Sequence, residues 1–211
     1  MAIYLFDFDG TLVDSMPTFA SVMLRILDEH GIAYGPDIVK TITPLGYAGT
    51  ARYFIELGIQ ATEEELVAKM KRYATKEYAE SIPEKPHVGD ALRHLLKKGH
   101  RPSVLTASPH EMLDVCLRRL GLYGLFENVW SCDDFGLTKA DPEIYRQAAK
   151  CLGADVGEVV FLDDNLGALK TAKSAGMRVY GVYDPTSRDL AAKIRTLSDR
   201  YITSFSELLD E

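Results

Sequence analysis

Five short apolar runs are spaced along the chain, and each is nearly continuous rather than alternating with polar residues. They are IYLF at 3–6, SVL at 103–105, NVW at 128–130, VVFL at 159–162 and RVYGV at 178–182. Continuous apolar runs of this length are typical of parallel strands that are covered on both faces. The pattern therefore predicts a parallel sheet buried between layers of helices.

Segments with helical spacing lie between these runs. Residues 88–96 and 144–152 place their apolar side chains three and four positions apart, as one face of a helix requires. The second segment follows Asp141 and Pro142, which favour a helix start, and stops at Gly153. Because strand and helix patterns alternate, we predict a doubly wound, Rossmann-like α/β core.

Residues 15–83 interrupt this alternation. Apolar positions from Phe19 to Leu27 predict one amphipathic helix closed by Gly31, and Thr62 with Glu65 forms the signature of a capping box that opens another. The stretch between them has no strand pattern. We therefore predict an all-helical cap domain at 15–83, inserted into a catalytic core made of residues 1–14 and 84–211.

The bulk properties limit the possible partners. The 211 residues include 46% hydrophobic and 26% charged side chains and carry a net charge of −7, which disfavours a nucleic-acid surface. No apolar run approaches the roughly 18 residues of a membrane span, and no secretory signal is visible. Three dispersed cysteines are expected to be reduced thiols. We expect a cytoplasmic monomer or homodimer that binds neither nucleic acid nor membrane.

Polar side chains follow the predicted strands. Asp7 and Asp9 come directly after the first run, Thr106 after the second, Lys139 after the third, and Asp163-Asp164-Asn165 after the fourth. Ligands of parallel sheets bind beyond the carboxyl ends of the strands, so these side chains are expected to meet at one edge. Clustered carboxylates repel each other unless a cation holds them, and hard oxygen ligands suit Mg²⁺.

Each of these residues also has a purely structural interpretation. Asp9, Asp141, Asp164 and Asn165 could cap helices or form turns, Thr106 could hydrogen-bond within its own turn, and Lys139 could be solvated. Their coincidence at one sheet edge favours a site.

The same segments resemble a known family. DFDGTLVDS, VLTAS, TKADPEIY and VVFLDDNLGALKTAKSAGM are similar, in order, to the four motifs of the haloacid dehalogenase superfamily, and the resemblance covers essentially the whole chain. The helical insertion resembles the type of cap that follows the first motif in phosphoglycolate phosphatase and β-phosphoglucomutase. The resemblance implies a Mg²⁺-dependent phosphatase that hydrolyses a small phosphorylated metabolite.

The resemblance also implies a role for each residue of the motifs. Asp7 would be the nucleophile that becomes an aspartyl phosphate, and at an ordinary pKa of about 3.9 it would already be anionic. Asp9 would be the general acid and base, and its backbone carbonyl would bind the metal. Asp164 would be a second metal carboxylate, with Asp163 on the ion or on one of its waters. Many members carry Gly-Asp where this chain has Asp163-Asp164, so the chain departs from the family pattern at Asp163 and the resemblance does not fix the role of this residue.

The remaining implied positions concern the substrate. Gly10, Thr106, Ala107 and Lys139 would bind the phosphate, and Thr106 and Lys139 would act in catalysis by neutralising its charge. Independently of the resemblance, we hypothesise that Tyr47 of a predicted cap loop PLGYAG and the nearby Arg52 set specificity.

Alternatives from other classes remain open. Within the superfamily that the motifs resemble, dehalogenases lack an acid two residues after the nucleophile, so Asp9 favours phosphate monoesters over dehalogenation. A phosphomutase of the β-phosphoglucomutase type is disfavoured by the absence of histidine from SMPTFASVM, the start of the first cap helix. A catalytically silent phosphate-binding or regulatory protein would normally have lost a motif residue. A response-regulator receiver also accepts phosphate on an aspartate beside Mg²⁺. It is disfavoured, because a receiver has no helical insertion after its first strand.

Overall fold

The chain forms two compact units. The computed structural model describes residues 1–210, apart from the side chain of Pro44. One unit consists of Met1–Asp14 with Pro83–Glu211, and the other of Ser15–Ile82. The division assigns Pro83 to the first unit, one residue earlier than the boundary we expected from the sequence.

Within the described residues, the first unit contains one six-stranded parallel sheet. Its strands are β1 (Ile3–Phe6), β2 (Arg101–Thr106), β3 (Val129–Ser131), β4 (Val159–Asp163), β5 (Arg178–Val182) and β6 (Arg200–Ile202). Their order across the sheet is β3-β2-β1-β4-β5-β6, so β1 lies between β2 and β4. This is the strand order of a doubly wound fold, and the predicted fold class is confirmed.

The described residues also contain nine α-helices, of which the first four belong to the second unit. In chain order they are α1 (Met16–Glu29), α2 (Ile38–Ile42), α3 (Gly46–Glu56), α4 (Glu63–Glu80), α5 (Val88–Lys97), α6 (His110–Arg119), α7 (Pro142–Cys151), α8 (Leu166–Ala175) and α9 (Ala191–Leu197). The predicted start of α7 is confirmed, since Asp141 accepts a hydrogen bond from the backbone N–H of Glu143 at 2.9 Å.

In the second unit, four helices enclose a separate apolar core. Val22, Met23, Ile26 and Leu27 of α1 are buried in it, as the amphipathic pattern of this segment predicts. The capping box of α4 is also confirmed. The backbone N–H of Glu65 donates to the Thr62 hydroxyl at 3.2 Å, and that of Thr62 donates to the Glu65 carboxylate at 2.9 Å.

The prediction of a loop at PLGYAG is wrong. Thr43–Leu45 form a short 3-10 helix that runs directly into α3, in which Tyr47 lies. Gly46 makes the transition with φ at +63°, a conformation that glycine adopts without steric cost. A single glycine thus replaces the loop.

The two connections between the units run side by side within the first unit. The backbone N–H of Asp14 donates to the Pro83 carbonyl at 3.0 Å, and that of Lys85 donates to the Leu12 carbonyl at 2.9 Å. Val13 forms an antiparallel bridge with Glu84. The chain therefore leaves and re-enters the first unit through paired backbone segments.

Residues 1–210 contain no helix that combines the length and the apolar character needed to cross a membrane.

Candidate active site

Three aspartates meet at the carboxyl edge of the sheet. Asp7 follows the central strand β1, and Asp163 and Asp164 lie at the end of the neighbouring β4. One carboxylate oxygen of each residue lies within 4.8 Å of those of the other two, and all three residues are buried. The backbone N–H of Asp7 donates to the Leu162 carbonyl at 2.8 Å, so β1 and β4 hold the cluster in register.

A lysine partly balances this charge. The ammonium of Lys139 contacts Asp7 and lies 2.9 Å from Asp163 Oδ2. Its side chain is 14% exposed, and the Tyr145 hydroxyl donates to its backbone carbonyl at 3.1 Å. If all three carboxylates are ionised, the one ammonium leaves two negative charges in excess. A buried cluster of hard oxygen ligands with that excess fits a divalent cation such as Mg²⁺.

Burial and crowding change the acidities in the cluster. Desolvation raises the pKa of Asp7 to about 7, although Lys139 opposes the rise. Burial also raises the pKa of Asp164 well above its usual range, and the charges of Asp163 and Asp7 add to this effect. Although burial works to lower it, the pKa of Lys139 is raised by Asp163 and Asp7. The expectation of an ordinary pKa for Asp7 is therefore wrong, because burial favours its protonated form.

The loop after β1 is pressed against Asp164. Gly10 has φ at +73°, and a Cβ at this position would lie 2.8 Å from Asp164 Oδ1. The hydroxyl of Thr11 donates to the same oxygen at 3.3 Å. Only glycine combines that backbone conformation with that approach, so Gly10 lies at the cluster as the sequence predicts.

Asp163 is engaged by hydrogen bonds on both oxygens. Oδ1 accepts from the backbone N–H of Asn165 at 2.7 Å, and Oδ2 accepts from Lys139. Asn165 caps α8, whose N–H groups at Gly167 and Ala168 donate to its side-chain oxygen. The structural interpretation therefore holds for Asn165, while Asp164 points into the cluster.

Asp9 and Thr106 lie on the two neighbouring strand ends and meet at Ser108. The Ser108 hydroxyl donates to the Asp9 carboxylate, and its backbone N–H donates to the Thr106 hydroxyl at 3.1 Å. Thr106 thus makes the local turn contact that its structural interpretation anticipated. Ala107 is exposed in the same bend, where the chain leaves β2.

The two residues expected to set specificity lie on α3 of the second unit. Tyr47 is half-buried and packs against Phe19, with ring centroids 5.5 Å apart. Arg52 is exposed and forms an ion pair with Glu63 at 2.9 Å.

Sequence reasoning missed Lys85, Ser108 and Asp184. Lys85 contacts the Gly10 carbonyl and lies 2.8 Å from Asp184. A signal for Asp184 was present, because it follows the fifth apolar run and the strand-end rule applies to it as well. Ser108 follows Thr106 by two residues and carried the same signal. Lys85 lies between two prolines, in a segment without a helix or strand pattern, so the sequence carried no signal for it.

The motif residues and the topology identify the class of protein. Residues 1–176 match the model of the haloacid dehalogenase-like hydrolases, and the chain belongs to this family. The chain is 29% identical over 179 residues to the pyrophosphatase PpaX of Bacillus velezensis, covering 84% of this chain and 81% of that protein. It is 28% identical over 184 residues to a phosphorylated carbohydrates phosphatase of Thermotoga maritima, covering 86% and 85% of the two chains.

A solved structure agrees with this assignment. A Thermotoga maritima protein described provisionally as a β-phosphoglucomutase superposes with a TM-score of 0.85 and 25% identity, covering 100% of this chain and 97% of that one. The predicted family and the predicted hydrolase class are confirmed.

Proposed function

We propose that this protein is a Mg²⁺-dependent phosphatase that hydrolyses a small phosphate monoester through an aspartyl-phosphate intermediate on Asp7. The observation that carries the proposal is the contact of the Lys139 ammonium with Asp7 inside a buried cluster that also contains Asp163 and Asp164. Of the relatives named above, one is called a phosphorylated carbohydrates phosphatase, which agrees with the proposal, and the other is called a pyrophosphatase.

The metal would be held mainly by Asp7 and Asp164, together with the backbone carbonyl of Asp9. Asp163 already accepts from Lys139 and from Asn165, so we assign it to orienting the lysine and to a metal-bound water. When bound, Mg²⁺ would supply positive charge that keeps Asp7 ionised and offsets the charge of the phosphoryl oxygens.

The chemical steps belong to the two opening aspartates. A carboxylate oxygen of Asp7 attacks phosphorus, and the bond from phosphorus to the ester oxygen breaks. Asp9 donates its proton to that leaving oxygen and is then ready to act as a base. It removes a proton from water as the water attacks the phosphoryl group, which releases inorganic phosphate and restores Asp7.

Other residues bind the phosphoryl oxygens. Lys139 offers its charge, and the Thr106 hydroxyl and the Ala107 backbone N–H lie at the end of β2 beside the Asp9 partner Ser108. Gly10 allows the backbone to approach the site closely because it lacks a Cβ. Positioned donors of this kind stabilise charge that develops in the transition state.

We assign residues 15–82 to a cap that selects the substrate, with Tyr47 and Arg52 of α3 as specificity residues. The Arg52 guanidinium already pairs with Glu63, so substrate binding would compete with that ion pair. Substituting Arg52 should therefore change KM among phosphate esters more than kcat. A substitution that changes neither would remove Arg52 from the proposal.

Phosphomutase activity is the second candidate, because the superposed Thermotoga maritima protein is described as a mutase and is covered almost fully. Against it, α1 spans MPTFASVMLRILDE and contains no histidine. Release of inorganic phosphate should therefore exceed isomerisation of any sugar phosphate tested.

The decisive experiment measures phosphate release from p-nitrophenyl phosphate and from a panel of metabolite phosphates. Activity should vanish with EDTA and return with Mg²⁺, and Asp164→Asn should require a much higher Mg²⁺ concentration. Full activity after exhaustive chelation, or no release from any ester in the presence of Mg²⁺, would contradict the proposed function.

A further inference from the structure

The ammonium of Lys85 lies among three oxygens. It contacts the Gly10 carbonyl, lies 2.9 Å from the Tyr183 carbonyl and lies 2.8 Å from Asp184 Oδ2. The Lys85 side chain is 12% exposed and that of Asp184 is fully buried. One ammonium therefore joins the loop after β1, the end of β5 and the segment by which the chain re-enters the first unit.

The Gly10 carbonyl belongs to the loop that is pressed against Asp164. A Cβ at Gly10 would lie 2.8 Å from Asp164 Oδ1, and Thr11 donates its hydroxyl to the same oxygen at 3.3 Å. The carbonyl that Lys85 contacts belongs to the peptide group that joins Gly10 to Thr11. Any shift of that peptide would therefore move both of the groups that fix Asp164.

Asp184, the carboxylate partner of Lys85, is itself held by hydrogen bonds. Asp184 accepts a hydrogen bond from the backbone N–H of Thr186 at 2.9 Å and caps the short helix Pro185–Leu190. A buried ion pair contributes little net stability, because removing both charges from water costs about as much as their attraction returns. Stability alone therefore does not explain an ion pair at this place.

We propose that Lys85 is a positioning residue for the metal site. It ties the Gly10 carbonyl to the end of β5 and thereby fixes Asp164 and Thr11. The inference rests on the proposed function, since Asp164 is there a Mg²⁺ ligand. Groups that hydrogen-bond directly to metal ligands typically change metal affinity or activity by about 10- to 100-fold when removed. Lys85 acts one step further out, through the peptide that joins Gly10 to Thr11.

The test compares Lys85→Met/Asp184→Asn with the parent. The double variant removes the donor to Gly10 and leaves no buried charge unpaired. A matched control is Lys173→Met, because Lys173 likewise contacts a carbonyl, that of Leu197 at 2.6 Å, and a carboxylate, that of Asp199 at 3.0 Å. Lys173 lies in the last turn of α8, two turns from the site.

Two measurements are made on each variant. The first is the Mg²⁺ concentration that gives half of the maximal rise in Tm without substrate, and the second is the Mg²⁺ concentration for half-maximal release of p-nitrophenol. We expect both midpoints to rise about tenfold in the double variant, the lower end of the range for direct partners of metal ligands. Lys173→Met should have the midpoints of the parent. Lys85→Arg keeps the charge and the donors, so its midpoints should stay close to those of the parent.

The outcomes separate the two proposals. A parent protein whose Tm responds to Mg²⁺ but which releases no phosphate would contradict the proposed function and still test Lys85 through the Tm midpoints. A folded double variant with parental midpoints would overturn the role of Lys85. Failure of the double variant to fold would assign Lys85 and Asp184 to stability alone, which also overturns the inference.

Discussion

The hydroxyl of Ser108 donates a hydrogen bond to the carboxylate of Asp9 across the ends of β2 and β1. Ser108 is held in turn, because its backbone N–H donates to the Thr106 hydroxyl. A serine whose backbone and side chain are both engaged fixes the direction of the carboxylate that we propose as general acid and base.

Ser108→Ala should therefore slow the chemical step while leaving the fold intact. Misplacing a catalytic group by a fraction of an ångström costs roughly 10-fold or more in rate, so we expect kcat to fall by about 10-fold. The loss should be larger for alkyl phosphates, whose leaving group needs a proton, than for p-nitrophenyl phosphate. Ser108→Thr should retain most activity, and Ser174→Ala, at an exposed hydroxyl on α8, should retain all of it. A loss of the same size for both esters would place Ser108 on the phosphate rather than on Asp9.

Asp7→Asn and Asp9→Asn should fail in different ways. Asp7→Asn removes the nucleophile and a metal carboxylate together, so turnover should fall to background for every substrate. Asp9→Asn keeps the nucleophile and the backbone carbonyl but removes the proton donor, which is worth about 10²- to 10⁴-fold. With p-nitrophenyl phosphate, Asp9→Asn should still give a rapid burst of p-nitrophenol. Equal losses without a burst in either variant would assign Asp9 to the metal site or to structure.

The stabilisation that Mg²⁺ confers should increase with pH. Burial raises the pKa of Asp7 from 3.8 to about 7, so the metal-free fold is favoured by protonated Asp7. That contribution is complete below about pH 4 and is lost as the pH rises through 7. Because the cation binds ionised carboxylates, the gain in Tm on adding Mg²⁺ should grow from pH 5.5 to pH 8. Asp164→Asn should show a small gain throughout, and a parental gain independent of pH would contradict the assigned acidity.

His87→Gly should stabilise the protein. His87 is the described non-glycine residue with positive φ, at +68°, and its side chain makes no capping hydrogen bond to α5. The left-handed conformation costs a residue with a side chain roughly 1–2 kcal/mol, and glycine avoids this cost. About half of the gain is offset, because glycine loses more conformational freedom on folding. We expect the free energy of unfolding in urea to be about 0.5–1 kcal/mol higher for His87→Gly than for the parent or for His87→Ala. Equal stability of the two variants would show that position 87 is unstrained.

The parts of the fold that the sequence predicted are those in which burial leaves a continuous apolar trace. Strands β1, β4 and β5 are buried on both faces and were found within one residue of their ends. Strand β6 was missed because Arg200–Ile202 is a three-residue edge strand in which only Ile202 is buried. The 3-10 helix and α3 were missed because proline and glycine near residue 45 are also the usual residues of turns.

The site divides in the same way. The Asp7, Asp163 and Asp164 cluster could be predicted because each residue directly follows a recognisable strand, and parallel strands place such residues at one edge. Lys85 could not be predicted, because its partner Gly10 lies 75 residues away and neither residue shows what faces it. The raised pKa of Asp7 depends on how completely the surrounding chain excludes water, which residue order alone does not record.

The paired backbone at Asp14 and Pro83 brings together the two points at which the second unit is joined to the first. A hydrogen bond of 3.0 Å joins the two residues, and no strand of the sheet lies within residues 15–82 of the described chain. A single recombination event with its ends at these two positions would therefore exchange the whole segment and leave the residues at the carboxyl edge of the sheet unchanged. Residues 15–82 and the residues at the carboxyl edge of the sheet could then vary independently of each other.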